Sequence, residues 1–318
     1  MSLHQSSGRW RLGLSLALTT AACWATLPVA LKITLEQVDA ITLTWFRFLV
    51  AAVLMAAWLG WKGRLLAPYR GLSNRHRGLL ALAGLMLLGN YVFYLFGVQR
   101  TTPANAQLLI QLAPLLMALG GVLVFRERFV AGQWLGLGLI GAGLWLFFNE
   151  QRAGLGAGYA TGALLVVLAA VVWAAYALLQ KQLLVRLSSP AILWAIYVLS
   201  ALLLWPFAKP STLLALDGLH ALLLAYCALN TLVAYGAFAE ALAHWEASRV
   251  SAVLALTPVL CVGTVAAVHA LWPSAIAAER IGIWGWTGAA LVVAGSAAAS
   301  LLAGRRSPPL KEAQQPDA

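Results

Sequence analysis

The stretch TTPANAQLLIQLAPLLMALGGVLVFRERFVAGQWLGLGLIGAGLWL, from Thr101 to Leu146, decides the fold. Two long apolar runs flank one short charged turn, Arg126-Glu127-Arg128. A helix needs about 20 mostly apolar residues to cross the hydrocarbon core of a bilayer. This stretch therefore predicts two spanning helices, at 102–125 and 130–148, joined by a tight turn at a membrane surface.

Runs of the same kind extend on both sides of this stretch. The chain has 62% hydrophobic and only 10% charged residues, with a mean hydropathy of +0.84. Soluble domains carry about 45–50% apolar and 25% charged residues. The sequence therefore predicts an all-α membrane protein with ten transmembrane helices, the other eight at 12–33, 39–61, 78–99, 157–180, 189–207, 218–242, 248–271 and 282–303.

The two ends of the chain are predicted to lie outside the membrane. Arg9 and Arg11 precede an apolar run, as in a signal peptide. However, this run continues from Leu12 to about Lys32, long enough to span, and it has a counterpart later in the chain. We therefore interpret 1–11 as a cytoplasmic N-terminus followed by a retained helix, and 304–318 as a disordered cytoplasmic tail.

The basic residues predict the orientation. Of the 21 Lys and Arg residues, fifteen fall on one side of the ten spans, five on the other, and Arg47 inside a span. Basic residues collect on the cytoplasmic side of membrane proteins. Both termini are therefore predicted to be cytoplasmic.

The charge pattern and the titratable residues argue against several functions. The net charge of +11 is divided into short clusters between apolar runs, so no nucleic-acid surface is expected. The five histidines are scattered without a metal-binding spacing, and the three cysteines lie in apolar runs as small hydrophobic residues. No cofactor and no metal site are predicted.

The two halves of the chain resemble each other. Residues 107–114, QLLIQLAP, match 251–258, SAVLALTP, and 24–32, WATLPVALK, match 173–181, WAAYALLQK. Near the ends of the halves, ERFVAGQWLG at 127–136 matches ERIGIWGWTG at 279–288. Each half, 12–148 and 157–303, holds five predicted spans, so the second half must enter the membrane from the opposite face. Inverted repeats of this kind are typical of secondary transporters.

These motifs resemble the drug/metabolite transporter superfamily, specifically its EamA type with two tandem five-helix repeats. The resemblance rests on the Thr101–Leu146 stretch, on EASRVSAVLALTP at 246–258 and ERIGIWGWTGAALVVAGS at 279–296, and on WFRFLVAA at 45–52. It covers about 12–303. The segment 269–280, HALWPSAIAAER, departs from it by being longer than the usual tight turn.

The resemblance implies export or exchange of a small metabolite, and it favours a bacterial inner membrane as the location. It also implies that helices 1–4 and 6–9 surround a central cavity, with helices 5 and 10 outside it. It does not specify the substrate.

Polar residues inside the predicted spans are the candidates for lining a substrate path. Such residues are costly in hydrocarbon and often mark a pathway, although they also hold helices together. Three groups occur at spacings that share a helical face: Asn90 and Tyr94, Gln107 and Gln111 with Pro114, and Tyr226 and Asn230. Both interpretations, cavity lining and interhelical hydrogen bonding, remain open.

Arg47 and two prolines are further candidates. Arg47 lies deep in a span, where it either reaches the membrane surface or contacts an anionic substrate, with Asp39 or an amide of the third or fourth span as resting partner. Pro114 and Pro258 are repeat-related, and each removes a helical N–H. They are predicted as gating hinges or as static bends.

Glu240 and His244 are the candidates for proton coupling. They lie four residues apart on one helical face near the inner end of the eighth span. Burial of a carboxylate favours its protonated form, and the adjacent imidazole could relay a proton to the cytoplasm. A pair solvated at the headgroups is the alternative.

Spans 5 and 10 are rich in glycine, including the GxxxG spacing of Gly132 and Gly136. Glycine at this spacing allows close helix approach. It predicts packing within the fold or a homodimer seam.

A secondary transporter of a small polar solute, such as an amino acid, is the first functional hypothesis. Its expected partners are that solute, the lipid bilayer and protons. A passive channel or a structural partner protein is the alternative. A membrane-embedded enzyme would need clustered catalytic side chains, which the sequence lacks. An ATP-driven pump is disfavoured because the sequence contains no GxxxxGK[ST] loop.

Overall fold

The computed structural model describes residues 9–113, 116, 119–120, 123, 130–154, 158–244, 250, 253–254, 256–278 and 281–301. Within these ranges the chain forms helices, turns and bends and no strand. The helices are α1 Trp10–Thr34, α2 Ala40–Trp61, α3 Asn74–Arg100, α4 Pro103–Leu109, α5 Ala131–Gly154, α6 Gly158–Leu183, α7 Ser189–Leu204, α8 Gly218–His244, α9 Thr257–Leu271 and α10 Ile283–Leu301.

The predicted all-helical membrane class is confirmed. Among the described residues, seven helices (α1–α3 and α5–α8) are long and apolar enough to cross a membrane, and α9 and α10 are shorter apolar helices. Large apolar side chains also cover the outer surface, including Trp61, Leu123, Leu214 and Leu271, each at least 80% exposed. An apolar outer surface of this kind suits lipid rather than water, so the chain is an integral multi-pass membrane protein.

Capping residues explain where several helices begin. The Asp39 side chain accepts hydrogen bonds from the backbone N–H groups of Ile41 and Thr42, which otherwise have no partner at the start of α2. Thr102 caps α4 in the same way, with Pro103 in the first turn. Ser73 caps α3, which therefore begins at Asn74 instead of the predicted position 78.

The fourth and ninth predicted spans differ most from the expectation. Helix α4 ends at Leu109, and the next backbone bonds, from Gln111 N–H to the Leu108 carbonyl and from Ala113 N–H to the Ile110 carbonyl, are tighter i to i−3 bonds. Helix α9 begins at Thr257 instead of 248. Pro114, the Arg126–Arg128 turn and the tail 304–318 lie outside the described residues.

Glycines join helix α5 to helix α10. A Cβ atom at Gly136 would lie 2.5 Å from the carbonyl oxygen of Gly295, and one at Gly143 would lie 2.5 Å from that of Gly288. Side chains cannot occupy these positions, so the two backbones touch directly. Packing within the fold is therefore observed for this glycine seam, and a homodimer through other faces of these helices stays a prediction.

Glu150 fastens one end of the glycine seam. Its carboxylate, near the C-terminal end of α5, accepts hydrogen bonds of 2.8 Å from the backbone N–H groups of Gly282 and Gly285. These groups lie at the start of α10, where helical N–H donors are unsatisfied and negative charge is favoured. Glu150 therefore acts as an N-terminal cap contributed by another helix.

Each of the remaining helices packs against helices of the opposite half of the chain. Helix α1 lies against α8 and α9, α3 against α6 and α7, and α2 against α7 and α8. Helix α4 contacts α9 and α6. The buried aliphatic core lies between these helices, and the polar residues described below lie within it.

Candidate substrate site

Arg47 is an arginine buried in the core of the described structure. It lies in α2, and only 3% of it is exposed. Its Nε donates to the carbonyl oxygen of Cys227 and to the hydroxyl of Thr231, each at 3.2 Å, both in α8. The guanidinium carbon lies 4.7 Å from the centre of the Tyr91 ring, a cation–π distance. Arg47 therefore connects α2, α3 and α8 instead of reaching the membrane surface.

The expected resting partner of Arg47 is not observed. Asp39 caps the start of α2, two helical turns before Arg47, and its carboxylate also accepts from the Thr42 hydroxyl at 2.6 Å. The other four acids among the described residues are engaged elsewhere: Glu36 and Asp217 lie beside His220, Glu150 caps α10, and Glu240 contacts His244. In this part of the chain, the buried guanidinium has no carboxylate within ion-pair distance.

A second polar group lies between α1 and α8. Asn230 donates through Nδ2 to the carbonyl oxygen of Cys23 at 2.9 Å and to the Tyr226 hydroxyl at 3.0 Å. The Tyr226 hydroxyl is also hydrogen-bonded to the Thr26 hydroxyl of α1. The Oδ1 atom of Asn230 is buried without a hydrogen-bond partner among the described residues. The structure therefore brings Tyr226 and Asn230 together, as predicted, and leaves one acceptor unused.

Gln107 and Gln111 have different surroundings, although their spacing predicts a shared helical face. The Tyr94 hydroxyl of α3 donates to Oε1 of Gln107 at 3.2 Å. Gln111 follows the end of α4, and its Nε2 atom is buried without a hydrogen-bond partner among the described residues. A buried donor without a partner costs roughly 1–3 kcal/mol, so the position of Gln111 calls for a functional explanation.

Asn90 belongs to a helix contact. Its Nδ2 donates to the carbonyl oxygen of Ala169 in α6 at 2.9 Å, and the side chain is almost fully buried. Of the two interpretations that the sequence left open for Asn90, this bond supports interhelical packing.

Glu240 and His244 form the expected pair but not in the expected environment. His244 Nε2 lies 3.0 Å from a carboxylate oxygen of Glu240. The Glu240 side chain is 62% exposed, so α8 presents it on the outer surface of the helix bundle and does not bury it. The buried position expected for Glu240 is therefore not observed.

Pro258 lies in the first turn of α9 and not in the middle of a continuous helix. Because a proline lacks an N–H, it cannot bond to the carbonyl of Leu254 four residues earlier. The Thr257 hydroxyl donates to that carbonyl at 2.6 Å instead. The break is thus stabilised by a side chain, and its role as a hinge stays a prediction.

Sequence reasoning missed three residues that complete this site. Thr26, Thr231 and Tyr91 bind Tyr226 or Arg47, but threonine and tyrosine are common in membrane helices and carry no distinctive spacing. Their only signal in the sequence is that Thr231 and Tyr91 each lie one position from a predicted candidate, Asn230 and Asn90.

A separate groove of about 320 Å³ lies between the start of α3 and α7. Tyr69, Arg77 and Leu199 are among its lining residues, whereas none of the candidate residues above lines it. The Tyr69 hydroxyl donates to the Ala191 carbonyl at 2.6 Å, and burial raises the pKa of Tyr69 to about 12. This groove is therefore distinct from the candidate site.

Known proteins share this organisation. The model of the EamA-like transporter family matches the chain twice, at 11–149 and 160–301. An uncharacterized inner membrane transporter of Escherichia coli (strain K12), YhbE, is 38% identical over 289 residues, covering 90% of each chain. An uncharacterized transporter of Haemophilus influenzae is 35% identical, covering 90% of this chain and 93% of its own.

A crystal structure of a further protein has the same fold. It superimposes with a TM-score of 0.62 at 22% identity, covering 93% of this chain and all of the other. The two matches to the family model, which overlap all ten described helices, and the 38% identity with YhbE establish that the chain belongs to the EamA-like transporter family.

Proposed function

We propose that this protein is a secondary transporter that exports or exchanges a small carboxylate-bearing solute, an amino acid or a related compound, by alternating access. One observation carries the proposal: Arg47 is buried between α2, α3 and α8 without a carboxylate partner among the described residues. An isolated charge is costly in such a place and is retained where it contacts a substrate or an ion. A substrate carboxylate would supply the missing counter-charge.

Two further buried amides would bind the rest of the solute. Nε2 of Gln111 offers a donor and Oδ1 of Asn230 offers an acceptor, since neither atom has a hydrogen-bond partner among the described residues. An acceptor beside a tyrosine hydroxyl suits an ammonium or hydroxyl group. Asn90, Tyr94 and Gln107 would then position α3 and α4 around these groups.

The alternating-access mechanism rests on inverted repeats. Under an exchange of the two five-helix halves, the α1–α8 pairing becomes the α6–α3 pairing, while α2–α7 and α5–α10 map onto themselves. When the two halves exchange conformations, a state that is closed at one membrane face becomes an equivalent state that is closed at the other face. The breaks before Pro114 and before Pro258 are the proposed hinges, since discontinuous helices are typical of transporter binding sites.

The proposed location is a bacterial inner membrane with both termini in the cytoplasm. The name of the relative from Escherichia coli and the distribution of basic residues support this location. Protons are the proposed driving ion, with Glu240 and His244 at the predicted inner end of α8 as the exchange site. Glu240→Gln would then abolish proton-driven accumulation and preserve solute exchange in the same vesicles.

Transport by Arg47 variants in proteoliposomes tests the function. Amino acids, other carboxylates, and neutral sugars and nucleosides are each supplied inside or outside, with and without a pH gradient. We expect saturable exchange of a carboxylate-bearing solute, a loss of at least about tenfold in Arg47→Gln, as for a charge-assisted contact of ~1.5 kcal/mol or more, and a smaller loss in Arg47→Lys.

Arg100→Gln is the matched control, because Arg100 lies at the exposed end of α3 and bonds to the Phe96 carbonyl. It should transport as the unaltered protein does. Unchanged exchange by a well-folded Arg47→Gln protein would refute Arg47 as the substrate contact.

A further inference from the structure

The predicted outer end of α8 carries a charged cap. Asp217 precedes the helix and accepts a hydrogen bond of 2.9 Å from the backbone N–H of His220. The His220 Nδ1 atom lies 2.8 Å from both carboxylate oxygens of Asp217. These hydrogen bonds, the backbone one foremost, lower the pKa of Asp217 to about 2. Asp217 therefore stays ionised at physiological pH.

The ionised carboxylate determines which nitrogen of His220 carries the hydrogen. Because it can only accept, Nδ1 must be the donor, and a neutral ring then leaves Nε2 as an acceptor. Nε2 is buried without a hydrogen-bond partner among the described residues and lies 3.9 Å from a carboxylate oxygen of Glu36. Two acceptors face each other there. A proton on Nε2 would convert this contact into an attraction.

The same cluster joins the two predicted halves. Gln37, in the turn between α1 and α2, donates through Nε2 to Asp217 at 2.7 Å, and the Asp217 backbone N–H donates to Gln37 Oε1 at 3.4 Å. Glu36 and Gln37 come from the first half, and Asp217 and His220 from the second. The side chain of His220 is 9% exposed and that of Glu36 is 60% exposed, so the contact is shielded from solvent on the histidine side only.

The repeat places a version of this motif without the carboxylate at the other face. The offset of 144 residues that relates Gln107 to Ser251 places Ser73 on Asp217 and His76 on His220. Ser73 caps α3, and its hydroxyl lies 2.7 Å from His76 Nδ1. A hydrogen bond from Ser73 or His76 to the opposite half is absent among the described residues. The predicted inner cap therefore lacks the carboxylate and, among the described residues, the contact between halves.

Other charged groups near α8 are occupied elsewhere. Lys32 of α1 donates to carbonyls at the end of α3, Asp39 caps α2, and His269 of α9 donates to the Ile276 carbonyl. Arg47 bonds to Cys227 and Thr231, about two turns or more further along α8, and Glu240 and His244 lie near its opposite end. Among the described residues, Glu36 and Asp217 are therefore the charges that face the His220 ring.

We propose that Glu36, Gln37, Asp217 and His220 form an outer latch between the two halves, and that a proton bound at Nε2 of His220 holds it shut. This inference rests on the proposed transport function. The proton comes from the outer solution, and histidine is the side chain that changes charge between pH 5 and 8. Acid outside the cell thus favours the outward-closed state, and a neutral exterior releases the Glu36 contact.

Thiol labelling from outside tests the outer latch without any substrate. Leu223→Cys, in a full-length protein whose native cysteines are replaced, places a half-buried thiol one turn from His220. Intact cells receive a membrane-impermeant maleimide at external pH 5.5 or 7.5. The exposed Ser211→Cys protein provides the rate that corrects for thiol ionisation. We expect corrected labelling to be about two- to fivefold slower at pH 5.5, as for a partly exposed ion pair.

Three variants decide the outcome. His220→Gln and Glu36→Gln should each remove the pH dependence, and Glu36, being 60% exposed, can be changed without disturbing the fold. His76→Gln, the repeat-related control, should retain it. A pH dependence that persists without His220, faster labelling in acid, or no labelling under any condition would each overturn the latch. Because labelling needs no solute, a failed transport assay with normal pH-dependent labelling would refute only the proposed substrate.

Discussion

A buried amide in a membrane helix is stable where its polar atoms are hydrogen-bonded, and Gln111 and Asn90 differ in this respect. The Nε2 atom of Gln111 has no partner among the described residues, whereas Nδ2 of Asn90 bonds across to α6. Gln111 thus has a group to offer a solute, and Asn90 has a group already in use.

Gln111→Ala should therefore reduce transport several-fold and leave the melting temperature unchanged or slightly higher, because it removes an unsatisfied donor. Asn90→Ala should instead lower stability by about 0.6–1.5 kcal/mol through loss of the bond to Ala169. Solute exchange and thermal unfolding of the purified variants separate the two effects. Equal transport loss at equal stability in both variants would contradict this distinction.

The candidate residues could be predicted individually, but not their partners. Polarity inside an apolar run identifies Arg47 and Asn230 from the sequence. The Cys227 carbonyl that binds Arg47 is a backbone group 180 residues away, and backbone carbonyls have no signature in a sequence. The contact between Glu240 and His244 can be predicted from their spacing of four residues. The exposure of Glu240 cannot, because it depends on which face of α8 points outward, and the few polar residues of α8 do not determine that rotation.

At the scale of elements, capping groups set the ends that hydropathy leaves vague. The serine at 73 extends α3 by four residues beyond the predicted start, into a segment that contains Arg75 and Arg77. Hydropathy excluded these arginines because it measures lipid affinity, and a helix can continue past the hydrocarbon into water. The breaks near 110 and 256 were missed for the opposite reason, since apolar residues continue through them.

Glu150 offers a test of a cap between helices. Glu150→Ala would leave the N–H groups of Gly282 and Gly285 without their acceptor, at a cost of about 0.5–2 kcal/mol. We expect a melting temperature lower by several degrees with normal membrane insertion. The neighbouring Asn149→Ala, which removes only a bond to the Trp145 carbonyl within α5, should have little effect.

The glycine seam offers a second test. In Gly288→Val the new Cβ would lie 2.5 Å from the Gly143 carbonyl oxygen, and α5 and α10 would have to separate. Overpacking of this kind costs about 1–3 kcal/mol or more, so we expect aggregation or a sharp loss of folded protein in detergent by size-exclusion chromatography. Gly138→Val should be tolerated, since a Cβ there meets no described atom within 4 Å.

At the scale of the whole molecule, the predicted orientation assigns every loop to one face. Ser73→Cys, in a protein without native cysteines, should react with an impermeant reagent only after the cells are opened. Ser211→Cys should react in intact cells. External labelling at position 73 would reverse the orientation, and with it the assignment of the outer latch.

The all-helical membrane class was more predictable than any single contact. Ten apolar runs and an internal repeat are long-range statistical features, and the bilayer restricts how they can be arranged. The choice of partners among ten helices depends on side-chain shape at each surface. The glycine-rich spans 5 and 10 are the exception, because small residues at regular spacing indicate close helix approach in the sequence itself.

The glycine seam also has a consequence for how the protein is made. Helix α5 is complete at Gly154, but its partner α10 ends at Leu301, and the intervening residues take on the order of 10–30 s to synthesise. Until α10 is synthesised, Gly136 and Gly143 would face lipid or another nascent chain at the same stage. The Glu150 carboxylate would meanwhile lack the N–H groups of Gly282 and Gly285 as hydrogen-bond donors. Ribosome spacing on the messenger would therefore influence how often two unfinished chains pair through α5, and slower initiation should raise the yield of monomeric protein.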